Sequence, residues 1–254
     1  MIVVNGSVVT PDSFLTDYPE GSIEQTILQK LAGSGTRFSY PTVDHLKFEL
    51  RLRKEIIAAS YALNRSGMGF AIFRETICNP KYWNRMPDGG FALKDGAKPS
   101  EAIADIYRNG SRYATECATA MMIVYYGALL NTYGEALFNK TFPRIELMNW
   151  HRIDKLLREV GNIRKEPVYL PGDRRYFNNP DVNLLTPEWQ GENVIELGNG
   201  MFYGHGVGIL SAEAIIKELN KQRMEDADES AALLDAVGRP DFMRLANIYL
   251  RGGS

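Results

Sequence analysis

Cys117 stands in the run Thr115-Glu116-Cys117-Ala118-Thr119-Ala120, where a long apolar segment starts. A thiol at a helix N-terminus feels the positive end of the backbone dipole, which favours the thiolate. Thiolate is the nucleophilic form, so this placement suits covalent catalysis. The adjoining Glu116 works in the opposite sense: its charge repels a thiolate, unless the carboxyl is there to move protons.

A second pair of chemical groups lies near the end of the chain. Asn199-Gly200 reads as a two-residue hairpin turn between apolar stretches. With that loop, Glu192 faces Val207 and Val194 faces His205. Glu192 and His205 then become diagonal neighbours on one sheet face, about 7–8 Å apart. A carboxylate and an imidazole packed against a cysteine-bearing helix make a site for thiol and acid–base chemistry. A one-residue slip in register would separate them onto opposite faces.

Each of these residues also has a plainer reading. A cysteine on an apolar helix fits a small core residue. Glu116 fits a first-turn carboxylate beside the dipole, Glu192 a solvated strand-end charge, and His205, between two glycines, a structural histidine. Cys78 lies beside Asn79-Pro80 without an evident base. The glycines from Gly198 to Gly208 fall in a hairpin and lack the strand–turn–helix setting of a nucleotide loop.

The elements that must carry these groups are legible as patterns. Residues 2–9 read as two strands around Asn5-Gly6. Ser22 with Gln25 resembles a capping box opening a helix to about Leu31. Leu46, Leu50, Ile56, Ile57, Ala59 and Leu63 follow helical spacing between Pro41 and Gly67. Turn signals at Asn79-Pro80 and Pro87-Asp88-Gly89-Gly90 make 78–98 loop-rich, with Trp83 and Phe91 flanking a hairpin. A short helix opens at Pro99. The helix bearing Cys117 is expected to begin at Ser111 or Tyr113, and it is apolar nearly all round, the mark of a central buried helix. Strands are expected at 145–150, at Arg174–Phe177, at Asn193–Leu197 and, unbroken, at Met201–Ile209. Ser211 caps a helix, and a further helix precedes an amphipathic tail, Phe242–Leu250; residues 251–254 are expected to fray. Helices first and an antiparallel sheet afterwards predict an α+β fold of one domain, 1–254, with the cysteine helix packed on the sheet.

Bulk composition narrows the function classes. The chain has 254 residues, 44% hydrophobic and 24% charged, with a formal net charge of −2, so no polybasic signal points to nucleic acid. Two cysteines in this length are not a disulfide framework, and a reducing compartment is expected. Met1–Gly6 lacks a basic region followed by a long apolar one, so no secretory signal is expected. The apolar run at 117–130 is too short and tyrosine-bearing for a membrane span. The three histidines, at 45, 151 and 205, are scattered and no zinc spacing occurs, so no metal is expected.

Together with Glu116-Cys117-Ala118-Thr119-Ala120, several stretches resemble one family. They are Trp150-His151, Trp189-Gln190-Gly191-Glu192-Asn193-Val194-Ile195, and Tyr203-Gly204-His205-Gly206-Val207-Gly208-Ile209-Leu210. Phe48-Glu49-Leu50-Arg51-Leu52-Arg53 and Pro99-Ser100 match as well. The resemblance is to the bacillar spore-coat transglutaminases, protein-glutamine gamma-glutamyltransferases, and it runs through nearly the whole chain. It implies a core similar to the NlpC/P60 cysteine peptidases, with Cys117 as nucleophile, Glu192 as main partner and Glu116 as a second, partly redundant carboxylate. It also implies an apolar tunnel lined by Phe70, Trp150 and Trp189, and a supporting place for His205. The implied partners are glutamine- and lysine-bearing proteins, among them spore coat proteins, met after synthesis in the cytoplasm, with no cofactor. No D-x-D-x-D-G loop occurs, so activity without calcium is expected. Two other readings stay open: an NlpC/P60-type cysteine peptidase or amidase using His205 as base, and a non-catalytic coat building block.

Overall fold

The computed structural model describes residues 1–252. Asn5 and Gly6, both at positive φ, close a hairpin between β1 (Ile2–Val4) and β2 (Ser7–Val9). After a single turn, α1 (Asp12–Leu15), Ser22 caps α2 (Ile23–Gly33), its hydroxyl accepting from the Gln25 N–H, as the capping pattern predicts. β3 (Phe38–Tyr40) then pairs parallel with β1, a contact with no local sequence signal. These elements bury Ile2, Val4, Ile27, Leu28 and Leu31 against Leu46 and Leu50 of the next helix, α3 (Val43–Arg65).

β4 (Gly69–Phe70) follows, and the loop-rich stretch holds the hairpin of β5 (Trp83–Arg85) and β6 (Phe91–Leu93). After α4 (Pro99–Arg108), the chain does not enter a helix at Ser111 or Tyr113. A short 3-10 turn leads into β7 (Ala114–Thr115), which pairs parallel with β4. Only then does α5 (Cys117–Tyr133) begin, with Cys117 as its first residue and Glu116 as N-cap. α5 is buried along almost its whole length, packed on α3, and ends at Gly134, whose φ of 75° an L side chain rarely adopts.

α6 (Glu135–Thr141) leads to β8, which is shorter than expected. Only Glu146–Leu147 pairs with β6, because Asn149 turns the chain at φ 49°. α7 (Arg158–Gly161) precedes the main sheet. Its strands are β9 (Arg174–Asn178), β10 (Gly191–Gly198), β11 (Met201–Gly204) and β12 (Gly208–Ser211). Ser211 then caps α8 (Ala212–Asn220). Where a further helix was expected, β13 (Ala232–Leu233) adds an edge strand to β9, and the amphipathic tail forms α9 (Phe242–Gly252). Arg251 and Gly252 are therefore helical rather than frayed; residues 253–254 lie outside the described residues.

The sheet is antiparallel, in the order β12-β11-β10-β9-β13. Alternation along β10 sends Ile195 and Leu197 into the core shared with α3 and α5. Val194 goes to the opposite face, with Phe177, Phe202 and Ile215 of α8. The fold is thus α+β, with the cysteine helix packed on an antiparallel sheet. No helix of the described residues is long and apolar enough to cross a membrane.

Two expectations about the β10–β11 hairpin are corrected. Asn199 and Gly200 do form the turn, at φ 52° and 73°. However, Gly198 at φ 90° allows a bulge, and the register shifts by one between Glu196 and Gly198. Val194 consequently faces Gly204, not His205, and the expected Glu192–Val207 pairing is lost. Met201–Ile209 is not one strand either: the chain turns at 205–207 and β12 pairs back on β11.

Candidate active site

The β4–β7 pair brings Phe70 opposite Thr115, directly before Glu116 and Cys117. At the start of α5 the Glu116 carboxylate accepts from the backbone N–H groups of Ala118 and Thr119 and from the Thr119 hydroxyl. Those bonds satisfy helix-end donors that have no intrahelical partner. Thr119 Oγ1 also accepts from the Asn149 N–H at 2.8 Å, tying the cap to the loop that carries Trp150.

Cys117 lines a cavity of about 620 Å³. Phe70, Ile72, Phe73, Trp150, Ile163 and Pro187 supply its apolar wall, with Tyr176 and Asn193 from the sheet beneath. Trp189 does not line this space; it stacks on Phe70 with ring centroids 6.3 Å apart. Trp150 is held by the Arg174 guanidinium, 4.5 Å from its ring centroid.

Glu192 is 3% exposed. Its carboxylate accepts from the Gly206 N–H at 3.2 Å and lies against Gly204, where a Cβ would come within 2.7 Å of Oε1. A side chain at Gly204 would displace the carboxyl, which is a structural use for that glycine. Around Gly206 the Glu192 carboxylate and the Phe70 ring meet, placing the carboxyl just behind the cavity wall. Burial, with a smaller push from Glu116, raises Glu192 to about 8. Glu116 is raised too, again by burial, but its three hydrogen bonds pull the other way.

The Cys117 thiol is pushed up, first by burial and then by the charges of Glu192 and Glu116; hydrogen bonds from Asn193 oppose this. The dipole expectation of a ready thiolate is thereby reversed: two carboxylates and an apolar setting outweigh one helix end. At neutral pH the thiol stands beside Glu192, whose carboxyl, raised to about 8, largely retains its proton.

His205 lies beyond the end of β11. Its Nε2 is 2.9 Å from the Gly69 carbonyl and its Nδ1 is 3.3 Å from the Tyr203 hydroxyl. Burial lowers its affinity for a proton. Both ring nitrogens are engaged: Nε2 joins the turn at 205–207 to β4, and Nδ1 meets the Tyr203 hydroxyl of β11. Cys117, Glu116, Phe70 and Trp150 thus meet at one cavity, with Glu192 behind its wall. His205 and Trp189 flank it.

Asn193, Arg174 and Tyr176 went unnoticed in the sequence. Asn193 Nδ2 donates to Cys117 Sγ at 3.4 Å. The usable signal was alternation: residues 193 and 195 share the face of β10 that meets α5. Among the described residues, no cluster of three His, Cys, Asp or Glu could hold a metal ion.

Along most of its length the chain is similar to proteins of one family. The family model for protein-glutamine gamma-glutamyltransferase matches residues 1–249. The chain is 45% identical to the protein-glutamine gamma-glutamyltransferase of Bacillus cereus (strain G9842) over 241 residues, covering 95% of this chain and 86% of that one. The corresponding protein of Bacillus mycoides (strain KBAB4) is 44% identical with the same coverage. Among solved structures, the transglutaminase from Geobacillus stearothermophilus (without C-terminal extension) matches with a TM-score of 0.78 and 44% identity, over 82% of this chain and 99% of that one. A cysteine-centred cavity in this fold, with such relatives across nearly its whole length, leads to one conclusion: the chain belongs to the protein-glutamine gamma-glutamyltransferase family, the transglutaminases.

Proposed function

We propose that the chain acts as a single transglutaminase domain that forms ε-(γ-glutamyl)lysine cross-links through a Cys117 thioester, with Glu192 carrying the protons. The observation that carries this reading is the contrast between Glu192 and His205. Glu192 is a buried carboxyl that titrates near 8, its charge acting on the thiol. His205 has both ring nitrogens occupied. A group with a pKa close to working pH serves as acid and base in turn.

Ionised Glu192 takes the Cys117 proton as sulfur attacks the glutamine carboxamide carbon. The C–S bond forms, and the C–N bond breaks as Glu192 returns the proton to the departing ammonia. A lysine amine then attacks the thioester and gives its proton to Glu192, which passes it to the leaving sulfur. Glu116, with its oxygens committed to the helix cap, is the second carboxylate and holds the thiol in place. The aromatic wall of Phe70 and Trp150, with Trp189 behind it, favours an amine over water at the thioester. Substrates are assigned as spore coat proteins with accessible glutamine and lysine, by resemblance to the bacillar spore-coat enzymes.

Incorporation of a labelled primary amine into a glutamine-bearing protein, in EGTA, tests the reading. Wild type is expected to be active, Cys117→Ala inactive, and Glu192→Ala reduced far more than His205→Ala. Retained incorporation by Cys117→Ala would sink the assignment. An inactive His205→Ala beside an active Glu192→Ala would favour the peptidase reading.

A further inference from the structure

Arg174 is the unusual charge in this molecule. It is 3% exposed, and among the described residues no carboxylate pairs with it. Its guanidinium instead donates from Nε to the Val160 carbonyl at 2.8 Å and from Nη2 to the Gly161 carbonyl at 3.2 Å. One face covers the Trp150 ring. The remaining arm, Nη1, donates to Asn193 Oδ1 at 2.5 Å.

A guanidinium offers donors only, so it fixes which way the Asn193 amide points. Oδ1 must face Arg174, and Nδ2 must face away from it. Away from it lies Cys117 Sγ, 3.4 Å from Nδ2. Flipping the amide would set an NH2 group against the guanidinium and turn an acceptor toward the sulfur. Register permits the arrangement because Asn193 pairs with Tyr176 and Ile195 with Arg174, so all four lie on the face that meets the start of α5.

We propose that Arg174 and Asn193 form a relay that stabilises negative charge on the Cys117 sulfur: Asn193 is a catalytic residue touching the reacting atom, and Arg174 is the positioning residue that orients and polarises its amide. The relay rests on the thioester reading. No proton passes along it. Both N–H bonds of the amide stay intact while its hydrogen bond to sulfur strengthens as charge develops. The titratable and charged groups around the thiol are Glu116 next to it in the chain, Glu192 and Tyr176 on the sheet, and Arg174 behind Asn193. Negative charge on any of the first three opposes ionisation of the sulfur. Arg174 is the cation of the set, and Asn193 is how its charge reaches the sulfur.

The pH dependence of Cys117 alkylation by iodoacetamide tests the relay, with mass spectrometry separating Cys117 from Cys78. It reads thiolate directly and requires no acyl transfer. Asn193→Ala leaves Arg174 and its bonds to Val160 and Gly161 in place. It is expected to raise the alkylation midpoint by about one pH unit and slow alkylation near pH 8 by about tenfold. Asn193→Asp puts an anion where the donor stood and is expected to raise the midpoint further. Arg174→Met should shift it in the same direction, and Arg174→Lys, which keeps the charge but not the fork, by less. An unchanged midpoint in Asn193→Ala, or a lowered one in Asn193→Asp, overturns the proposal. If circular dichroism shows that Arg174→Met does not fold, the two Asn193 variants decide it. A wild-type chain that shows these shifts against its variants yet incorporates no amine upholds the relay and contradicts the transglutaminase reading.

Discussion

Asp173 and Arg174 are consecutive residues, yet they belong to two buried charge systems with opposite designs. Asp173 sits where α3, the entry to β9 and the loop before α9 meet. It takes Arg53 at 2.9 Å and Arg239 in a two-pronged pair at 2.6 Å, while Glu49 takes Arg53 at 2.8 Å. Every charge there has an opposite partner. The arginines hold Asp173 below the usual carboxylate range, and its burial does not undo that. Across the sheet, around Cys117, the same residue types are kept apart. Among the described residues Arg174 pairs with no carboxylate and is lowered to about 10, while Glu192 pairs with no cation and is raised to about 8. Matched charges are locked in their ionised forms and give structure. Charges held apart in an apolar setting shift toward their neutral forms, and Glu192 is thereby brought near the working pH.

Breaking the matched system should cost the most stability. Asp173→Ala leaves the fully buried Arg53 with Glu49 as its remaining counter-charge and takes the two-pronged partner from Arg239, so unfolding in urea is expected to show a loss of about 3–5 kcal/mol. A loss below about 1 kcal/mol would show that this network is not holding the domain together.

The separated system should reveal itself through pH. The folded pKa of Glu192, about 8, lies above its ordinary value of 4.5. The folded state therefore retains a proton that the unfolded chain releases, and the stabilisation present below pH 4.5 is lost as pH rises through about 8. Glu192→Gln, which mimics the neutral carboxyl, should flatten that decline, gaining on the order of 4 kcal/mol relative to wild type between pH 5 and pH 9. Parallel stability profiles for the two proteins would mean that Glu192 is ordinarily ionised.

The sequence made one side of this comparison visible and hid the other. α3 and α5 could be read from spacing and apolar content, and the hairpins at Asn5-Gly6 and Pro87–Gly90 from turn chemistry, because those signals are local. Cys117 and Glu116 stood out because a helix start is local too. The placement of Glu192 relative to His205 was missed because a single residue, Gly198, bulges the strand, and nothing in an alternating pattern records that. β3 joins β1 across the whole of α2, and Arg174 of β9 reaches Asn193 on the neighbouring β10; both depend on tertiary packing. The direction of the Cys117 shift was misjudged for the same reason, since burial is a property of the folded site rather than of the helix end.

The most direct test of the unpaired carboxyl is ammonia release from a glutamine-bearing substrate, followed in EGTA from pH 5.5 to 9.5. Because ionised Glu192 is the base for Cys117, the wild-type rate should climb with pH and level off near 8. Glu192→Gln should lose that limb and fall by about a hundredfold or more. A Glu192→Gln protein that releases ammonia at the wild-type rate, with the same rise toward pH 8, would contradict the account.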